Sequence, residues 1–282
     1  MGIFGRIDTF ITWFDGVVWG LPLIILILVT GIFLTVRLGL LQVRYLGKAL
    51  KFMVKNEEDG HGEVTSFGAL CTALSATIGT GNIVGVATAI SAGGPGALFW
   101  MILTAFLGMA TKYSEGLLAV KYRTIDEDGH VLGGPFYYIE KGMGKNFKWL
   151  AKLFCVFGTM VGLFGIGTFT QVNGITSAVN NFFDSSNVHT ISLFGMNYSI
   201  SVVVAGIIVT ICAGLVIIGG IKRISKVSEV IVPFMAIIYF LFAAILIITN
   251  ITQVPAAIRI IVKAAFTPKA VTGGAVGSMF VA

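Results

Sequence analysis

Residues 65–86 read TSFGALCTALSATIGTGNIVGV and place hydroxyl groups, an asparagine and several glycines inside an otherwise apolar stretch. If residues 66–91 form one span, its midpoint lies between Ile78 and Gly79, so residues 79–82 fall near the centre of the bilayer. Glycine weakens a helix. In a membrane, backbone leaves the helix only where it is buried in protein or lines a watered cavity. The stretch therefore predicts a membrane helix that is broken at its centre.

Such a break creates two half-helix ends. The first half offers free carbonyl groups at residues 75–78 to a cation, and the second half offers free N–H groups at residues 80–82 to an anion. The amide oxygen of Asn82 and the nearby hydroxyl groups add oxygen ligands of the kind that a hard cation such as Na⁺ prefers. The residues thus indicate a site that holds an alkali cation and a carboxylate.

Two other interpretations fit parts of the same stretch. Gly81 and Gly85 form a GxxxG motif, which is often only a close-packing face in membrane helices. The glycines also imitate a dinucleotide-binding fingerprint, but no soluble strand precedes them and no acidic residue follows about 20 residues later. The central position and the clustered polar groups favour the binding site over both.

The composition excludes a soluble protein. The chain has 282 residues, of which 56% are hydrophobic and 11% charged, with 36 glycines and a net charge of +6. Soluble domains carry about 25% charged residues, and a mean hydropathy of +0.94 requires most of this chain to face lipid or other apolar helices. Disorder and a nucleic-acid-binding domain are excluded with it. Three cysteines in apolar segments and three isolated histidines suggest neither disulfides nor a metal centre, so we expect no resident cofactor.

Apolar runs of about 20 residues mark the membrane spans. Six are predicted, at residues 17–41, 66–92, 97–120, 149–169 with a polar continuation to 182, 198–221 and 227–250. Alternate loops carry twelve Lys and Arg residues on one face and four on the other. The positive-inside rule then predicts a multi-pass protein of the cell membrane with an extracellular N-terminus. Residues 256–266 are too short to span and place Arg259 and Lys263 on one face, as in an interfacial helix.

The run at residues 270–282 is also too short to span, since thirteen residues of helix reach only about 20 Å. We therefore expect the chain to be part of a longer protein.

Four segments together resemble the alanine/glycine:cation symporter family, and the resemblance covers most of the chain. They are LSATIGTGNIVGVATAI at residues 74–90, GGPGA at 93–97, KYSE at 112–115 and GGPFYYI at 133–139. The resemblance implies an all-α integral membrane protein with the leucine-transporter-like fold of two inverted five-helix repeats. Residues 1–65 would then be an extra N-terminal helix and cytoplasmic loop, residues 66–250 the first repeat with its first helix broken at 79–82, and residues 251–282 an interfacial segment and the start of the second repeat.

The resemblance also implies roles for individual residues. The amides of Thr80 and Gly81, beside Gly79, would hold the substrate carboxylate. Thr77 would also be a substrate-binding residue. The Thr77 carbonyl and the Asn82 side chain would bind one Na⁺, and the carbonyls of Ser75 and Ile78 would form half of a second cation site. The residues alone do not separate the two cation sites.

Polar residues outside the break are weaker candidates. Gln171, after a glycine-rich stretch, reaches toward the predicted cavity as a contact for the substrate amine or carboxylate, and Asn173 is a lesser candidate. Glu115 is either a gate or, more simply, an ion-pair partner of Lys112 one turn away.

These observations predict a secondary active transporter, not an enzyme, that couples Na⁺ entry to uptake of alanine or glycine by alternating access. The partners expected are the amino acid, Na⁺ and the lipid membrane. A gated channel would share the central carbonyl groups and glycines, and a structural membrane subunit would leave the central asparagine and hydroxyl groups unexplained.

Overall fold

The structure is a computed structural model that describes residues 3–18, 20–54, 64–193, 195–267 and 270. Helices dominate it, as the sequence predicts. The helices before the break are α1 (Ile3–Val18), α2 (Leu21–Arg37), α3 (Leu41–Arg44), α4 (Leu46–Val54) and α5 (Ser66–Thr77). A π-helix (Gly81–Gly85) leads into α6 (Val86–Gly93), and α7 (Ala97–Lys121) follows.

The second half of the chain contains two short hairpins besides its helices. Strands β1 (Thr124–Ile125) and β2 (Val131–Leu132) pair antiparallel, and so do β3 (Thr190–Leu193) and β4 (Met196–Ser199). The helices are α8 (Pro135–Met143), a 3₁₀ turn (Lys145–Phe147), α9 (Lys148–Phe164), α10 (Ile166–Phe183), α11 (Ile200–Ile217), α12 (Gly220–Thr249) and α13 (Val254–Ala265).

The predicted spans are confirmed as long apolar helices. Within the described residues, five stretches are long and apolar enough to cross a membrane, and the bent pair of α5 with the π-helix and α6 makes a sixth. The five are Gly5–Arg37, Ala97–Lys121, Lys145–Phe183, Ile200–Ile217 and Gly220–Thr249. The predicted short helix near residues 256–266 is α13. The run predicted to start a second repeat lies outside the described residues except for Ala270.

Three features differ from the predicted layout. Helix α1 precedes the first predicted span, and α3 and α4 form where a loop is expected. The fourth span is two helices, because Gly165 between α9 and α10 adopts a left-handed conformation with φ of 57°. Glycine takes that conformation without steric cost, and a break there separates the apolar α9 from the more polar α10.

The chain forms two compact units. The first contains residues 1–52, 81–121 and 242–282. In it α2 packs against α7, and Gly31 permits a close approach because a Cβ there would lie 3.0 Å from the Leu107 Cβ. Near its N-terminus, α7 also contacts α13, where the Trp100 indole N–H donates to the Ala265 carbonyl at 2.6 Å. These contacts fix α13 to α7 by specific bonds.

The second unit contains residues 53–80 and 122–241. In it α10 packs against α11, and α8 packs against α9. The N-terminus of α5 meets α12, because Gly68 leaves room for the side chains of Ser225 and Glu229. This unit contains both α5, which ends at the break, and α10, which carries Gln171.

Candidate functional site

The predicted break is present. Helix α5 ends at Thr77, and Ile78 takes an extended conformation with φ of −85° and ψ of 111° while its N–H still donates to the Leu74 carbonyl at 2.7 Å. Helical structure resumes at Thr80, and Gly81–Gly85 form a π-helix. Residues 78 and 79 are therefore outside the helices, as the glycines at 79 and 81 predict.

The side chain of Gln171, on α10, fills the break. The backbone N–H of Thr80 donates to Gln171 Oε1 at 2.9 Å, and the Thr80 hydroxyl donates to the same oxygen at 3.0 Å. A carbonyl oxygen carries partial negative charge, so it satisfies an N–H group at the start of the second half-helix as an anion would. The structure thus brings together Thr80 and Gln171, two residues that the sequence places 91 positions apart.

The close approach of the Gln171 side chain to the break requires glycine at position 79. A Cβ at Gly79 would overlap the Gln171 side-chain amide, with Oε1 only 2.7 Å away. Because Gln171 is in contact with the backbone at this point, only a residue without a side chain fits between them. Gly79, Thr80 and Gln171, all predicted as substrate-binding residues, therefore form one group.

Gly174 is a fourth member of this group that the sequence analysis misses. It lies one turn after Gln171 on the same face of α10, and a Cβ there would overlap the Thr80 side chain, with the Thr80 Cβ at 3.3 Å. The i,i+3 spacing from Gln171 is the signal that points to it. Asn173, the lesser candidate, projects from the opposite side of α10 from Gln171 at 3.6 residues per turn.

The predicted cation ligands lie on the two sides of the break. Ser75 and Thr77 belong to the last turn of α5, and Ile78 follows it directly. Their hydroxyl groups turn back to the helix, since Ser75 Oγ donates to the Thr72 carbonyl and Thr77 Oγ1 to the Ala73 carbonyl, both at 2.7 Å. The carbonyl oxygens are therefore the groups of Ser75 and Thr77 that suit a cation. Gly81 begins the π-helix and Asn82 is its second residue.

Glu115 takes the simpler of its two predicted roles. Its carboxylate lies 3.0 Å from the Lys112 ammonium group, one turn away on α7, and both side chains are largely exposed. An exposed pair of this kind contributes little to stability.

Several apolar spans, one of them broken between two half-helix ends, define a multi-pass integral membrane protein. The chain belongs to the sodium:alanine symporter family, whose model matches residues 5–282.

Relatives from bacteria and an archaeon support this assignment. The chain is 55% identical over 271 residues to an uncharacterized transporter of Haemophilus influenzae, covering 96% of the chain and 56% of the relative. It is 43% identical over 265 residues to the sodium/alanine symporter AgcS of Methanococcus maripaludis, covering 93% and 55%. It is 39% identical over 268 residues to a putative sodium/proton-dependent alanine carrier protein, YrbD, of Bacillus subtilis, covering 95% and 51%. The chain spans about half the length of the curated relatives it matches.

Proposed function

We propose that this chain belongs to a Na⁺-coupled symporter that carries alanine or glycine into the cell. The observation that carries the proposal is the pair of hydrogen bonds from the Thr80 N–H and hydroxyl to Gln171 Oε1. It supports an oxyanion-binding role because two donors at the start of a half-helix converge on one oxygen, which stands in for one oxygen of the substrate carboxylate.

The substrate carboxylate replaces the Gln171 oxygen on Thr80. The second carboxylate oxygen then accepts from the Gly81 N–H, and the displaced Gln171 amide turns its NH₂ group toward the substrate. Gly79 keeps this exchange possible because it leaves the space beside the Gln171 amide free of a side chain. A small neutral amino acid fits this proposal, and the names of two relatives as alanine carriers support alanine as the substrate.

Na⁺ binds at the other half-helix end in this proposal. The Thr77 carbonyl and the Asn82 side chain hold one Na⁺, and the carbonyls of Ser75 and Ile78 form half of a second site. Cation binding orders the extended backbone after Thr77, and the same ordering aims the N–H groups of residues 80 and 81 at the carboxylate. Each ligand therefore raises the affinity for the other, and the coupling is reciprocal.

The wider arrangement is part of the same proposal. Residues 66–250 form the first repeat of a leucine-transporter-like fold, residues 1–65 an additional helix with a cytoplasmic loop, and residues 251–282 the start of a second repeat. The excess of basic residues on alternate loops supports an extracellular N-terminus.

The test is transport by the purified protein in liposomes. An inward Na⁺ gradient should drive alanine above its external concentration, and a Na⁺ ionophore should abolish the accumulation. Flux that only equalises alanine across the membrane, with or without Na⁺, would show a channel or a facilitator and would refute the proposal.

A further inference from the structure

Helix α4 is an amphipathic helix that the described structure leaves without a substantial packing partner. It follows the first long span, where the sequence alone suggests a loop. Leu46, Leu50 and Met53 share one face, and each is between 42% and 55% exposed. Lys48 and Lys51 lie on the opposite face, and Phe52 lies at the boundary beside Lys48. A helix with this division buries its apolar face in a neighbouring protein surface or at the edge of a bilayer.

The backbone turns the chain away from α2 before α4 begins. Gly39 and Leu40 both have positive φ, at 62° and 54°, and Leu40 is one of few residues other than glycine with that conformation. Residues in the left-handed conformation end a helix. Because α2 is part of a membrane-spanning stretch that ends at Arg37, the turn occurs where that span ends.

Gln42 anchors the segment after the turn. Gln42 is only 7% exposed. Its NH₂ group donates to Thr35 Oγ1 at 2.9 Å and to the Phe106 carbonyl at 3.2 Å. These bonds attach α3 to both α2 and α7, so the start of α4 has a fixed position at the end of the span. Helix α4 itself extends beyond this anchor.

The charged residues of α3 and α4 are all basic. Residues 38–54 contain Arg44, Lys48 and Lys51 and no acidic residue. Two of these basic side chains make cation–π contacts with the Tyr45 ring, with Arg44 Cζ 5.7 Å and Lys48 Nζ 5.2 Å from the ring centroid. Tyrosine with neighbouring basic residues is typical of the headgroup level of a membrane.

We propose that α4 lies in the membrane interface and binds anionic phospholipids. Lys48 and Lys51, together with Arg44 at the end of α3, would contact the phosphate groups, and Leu46 and Leu50 would lie among the acyl chains. Charge complementarity favours an anionic lipid surface, because the basic face has no acidic neighbour within the helix. Continuity favours it too, because α3 and α4 leave a spanning helix at its end. This surface is separate from the substrate site and does not depend on the transport proposal.

The depth of α4 is tested with a fluorescent label on the whole protein in nanodiscs. Cys71 is 1% exposed, so replacing Cys155 and Cys212 with serine leaves no reactive thiol among the three cysteines of this sequence. A label on Leu50→Cys should be quenched by lipids brominated on their acyl chains, and a label on Lys51→Cys should be quenched by aqueous iodide instead. Iodide quenching at both positions, or shielding of Leu50→Cys from both quenchers because protein covers it, would overturn the proposal.

The lipid preference is tested with the same Leu50→Cys label. Brominated phosphatidylglycerol diluted into phosphatidylcholine should quench more strongly than brominated phosphatidylcholine at equal dilution. The combined variant Arg44→Gln, Lys48→Gln, Lys51→Gln should lose this preference. Each basic residue at an anionic membrane surface strengthens binding by about fivefold, and the variant removes three of them. The control removes three exposed lysines elsewhere, Lys145→Gln, Lys222→Gln and Lys226→Gln, and should keep the preference. An equal loss in both variants, or no loss in the first, would overturn the assignment to α4.

Discussion

Thr80 donates both its backbone N–H and its hydroxyl to a single atom, Gln171 Oε1, at 2.9 and 3.0 Å. A neutral amide oxygen thus occupies the position where the second half-helix would hold an anion. In the proposed function the substrate displaces this oxygen, and a carboxylate can do so because hydrogen bonds to a charged acceptor are stronger than those to a neutral one. The strength of the internal contact therefore sets part of the substrate affinity.

Gln171→Glu should weaken substrate binding strongly. The new carboxylate would accept the same two hydrogen bonds with a full negative charge, so it would hold the half-helix end more tightly and repel the substrate carboxylate. We expect the KM for alanine in liposomes to rise by about tenfold or more, corresponding to ~1.4 kcal/mol.

The matched control is Gln253→Glu, which makes the same change in an exposed residue at the start of α13. Its KM for alanine should stay at the wild-type value. If Gln171→Glu transports alanine with an unchanged KM, the exchange between Gln171 and the substrate is wrong.

Gly79→Ala and Gly174→Ala should each reduce uptake. The first Cβ would overlap the Gln171 amide and the second the Thr80 side chain, and overpacking of this kind costs about 1–3 kcal/mol. Alanine at position 79 also favours helix where the chain leaves the helix. Initial uptake rates in liposomes should fall by about tenfold in each variant.

Gly167→Ala is the control for both substitutions. Gly167 also lies in α10, but a Cβ there would have no atom within 4 Å. Its uptake should match the wild type. Equal losses in Gly167→Ala and Gly174→Ala would indicate that α10 tolerates no added methyl group, and the contact with Thr80 would not be the cause.

The sequence predicts the break because its signal is local. Glycines and polar side chains in the middle of an apolar run have few explanations at membrane depth. The same reasoning finds the long spans, since their length is set by the bilayer. The split between α9 and α10 is different, because Gly158, Gly162, Gly165 and Gly167 look alike in the sequence and only Gly165 becomes left-handed.

The partner of the break is not a local signal. Gln171 is one of several polar residues on α10, and the sequence around it does not indicate that its side-chain oxygen faces Thr80. Gly174 is missed for the same reason, because a glycine shows its purpose only when the side chain that approaches it is known. Helix α4 is missed because it is short and its lysines look like those of an ordinary loop.

Asn82→Ala should raise the Na⁺ concentration needed for transport. In the proposed function the Asn82 amide oxygen is a ligand of one Na⁺, and the loss of one interaction with a charged group costs about 1.5–3 kcal/mol. The half-maximal Na⁺ concentration for alanine uptake should therefore rise by about tenfold or more, and at saturating Na⁺ the rate should partly recover. Asn250→Ala, directly after α12, removes an amide that donates to the Leu246 carbonyl and the Thr249 hydroxyl nearby and should leave the Na⁺ dependence unchanged. An unchanged Na⁺ dependence in Asn82→Ala would remove Asn82 from the cation site.

Thr65→Val should destabilise the start of α5. The Thr65 hydroxyl accepts the Gly68 N–H at 2.9 Å as a helix cap and donates to Glu229 Oε1 on α12 at 3.0 Å. Valine has a similar shape but makes neither bond, so the free energy of unfolding should fall by about 1–2 kcal/mol. Thr65→Ser keeps the hydroxyl and should melt near the wild-type temperature in detergent. If the two variants melt alike, the hydroxyl contributes nothing and the methyl packing accounts for the residue.

The stabilising contribution of Asp184 should be lost in acid. It follows α10, outside the spanning helix, and the Val188 N–H donates to its Oδ1 at 2.9 Å while the His189 N–H and the Ser199 hydroxyl donate to its Oδ2 at 3.1 and 3.0 Å. The pKa of Asp184 is lowered, chiefly by the bond from Val188, although partial desolvation opposes the shift. Because the folded pKa lies below the ordinary value of about 3.9, its contribution is full above that pH and is lost as the pH falls through the folded pKa.

Melting temperatures in detergent should therefore decline below about pH 4 in the wild type. In Asp184→Asn the melting temperature should be lower at neutral pH, because an amide NH₂ cannot accept these bonds, and the decline in acid should be smaller. An acid profile of the same steepness in both proteins would show that other carboxylates cause the loss.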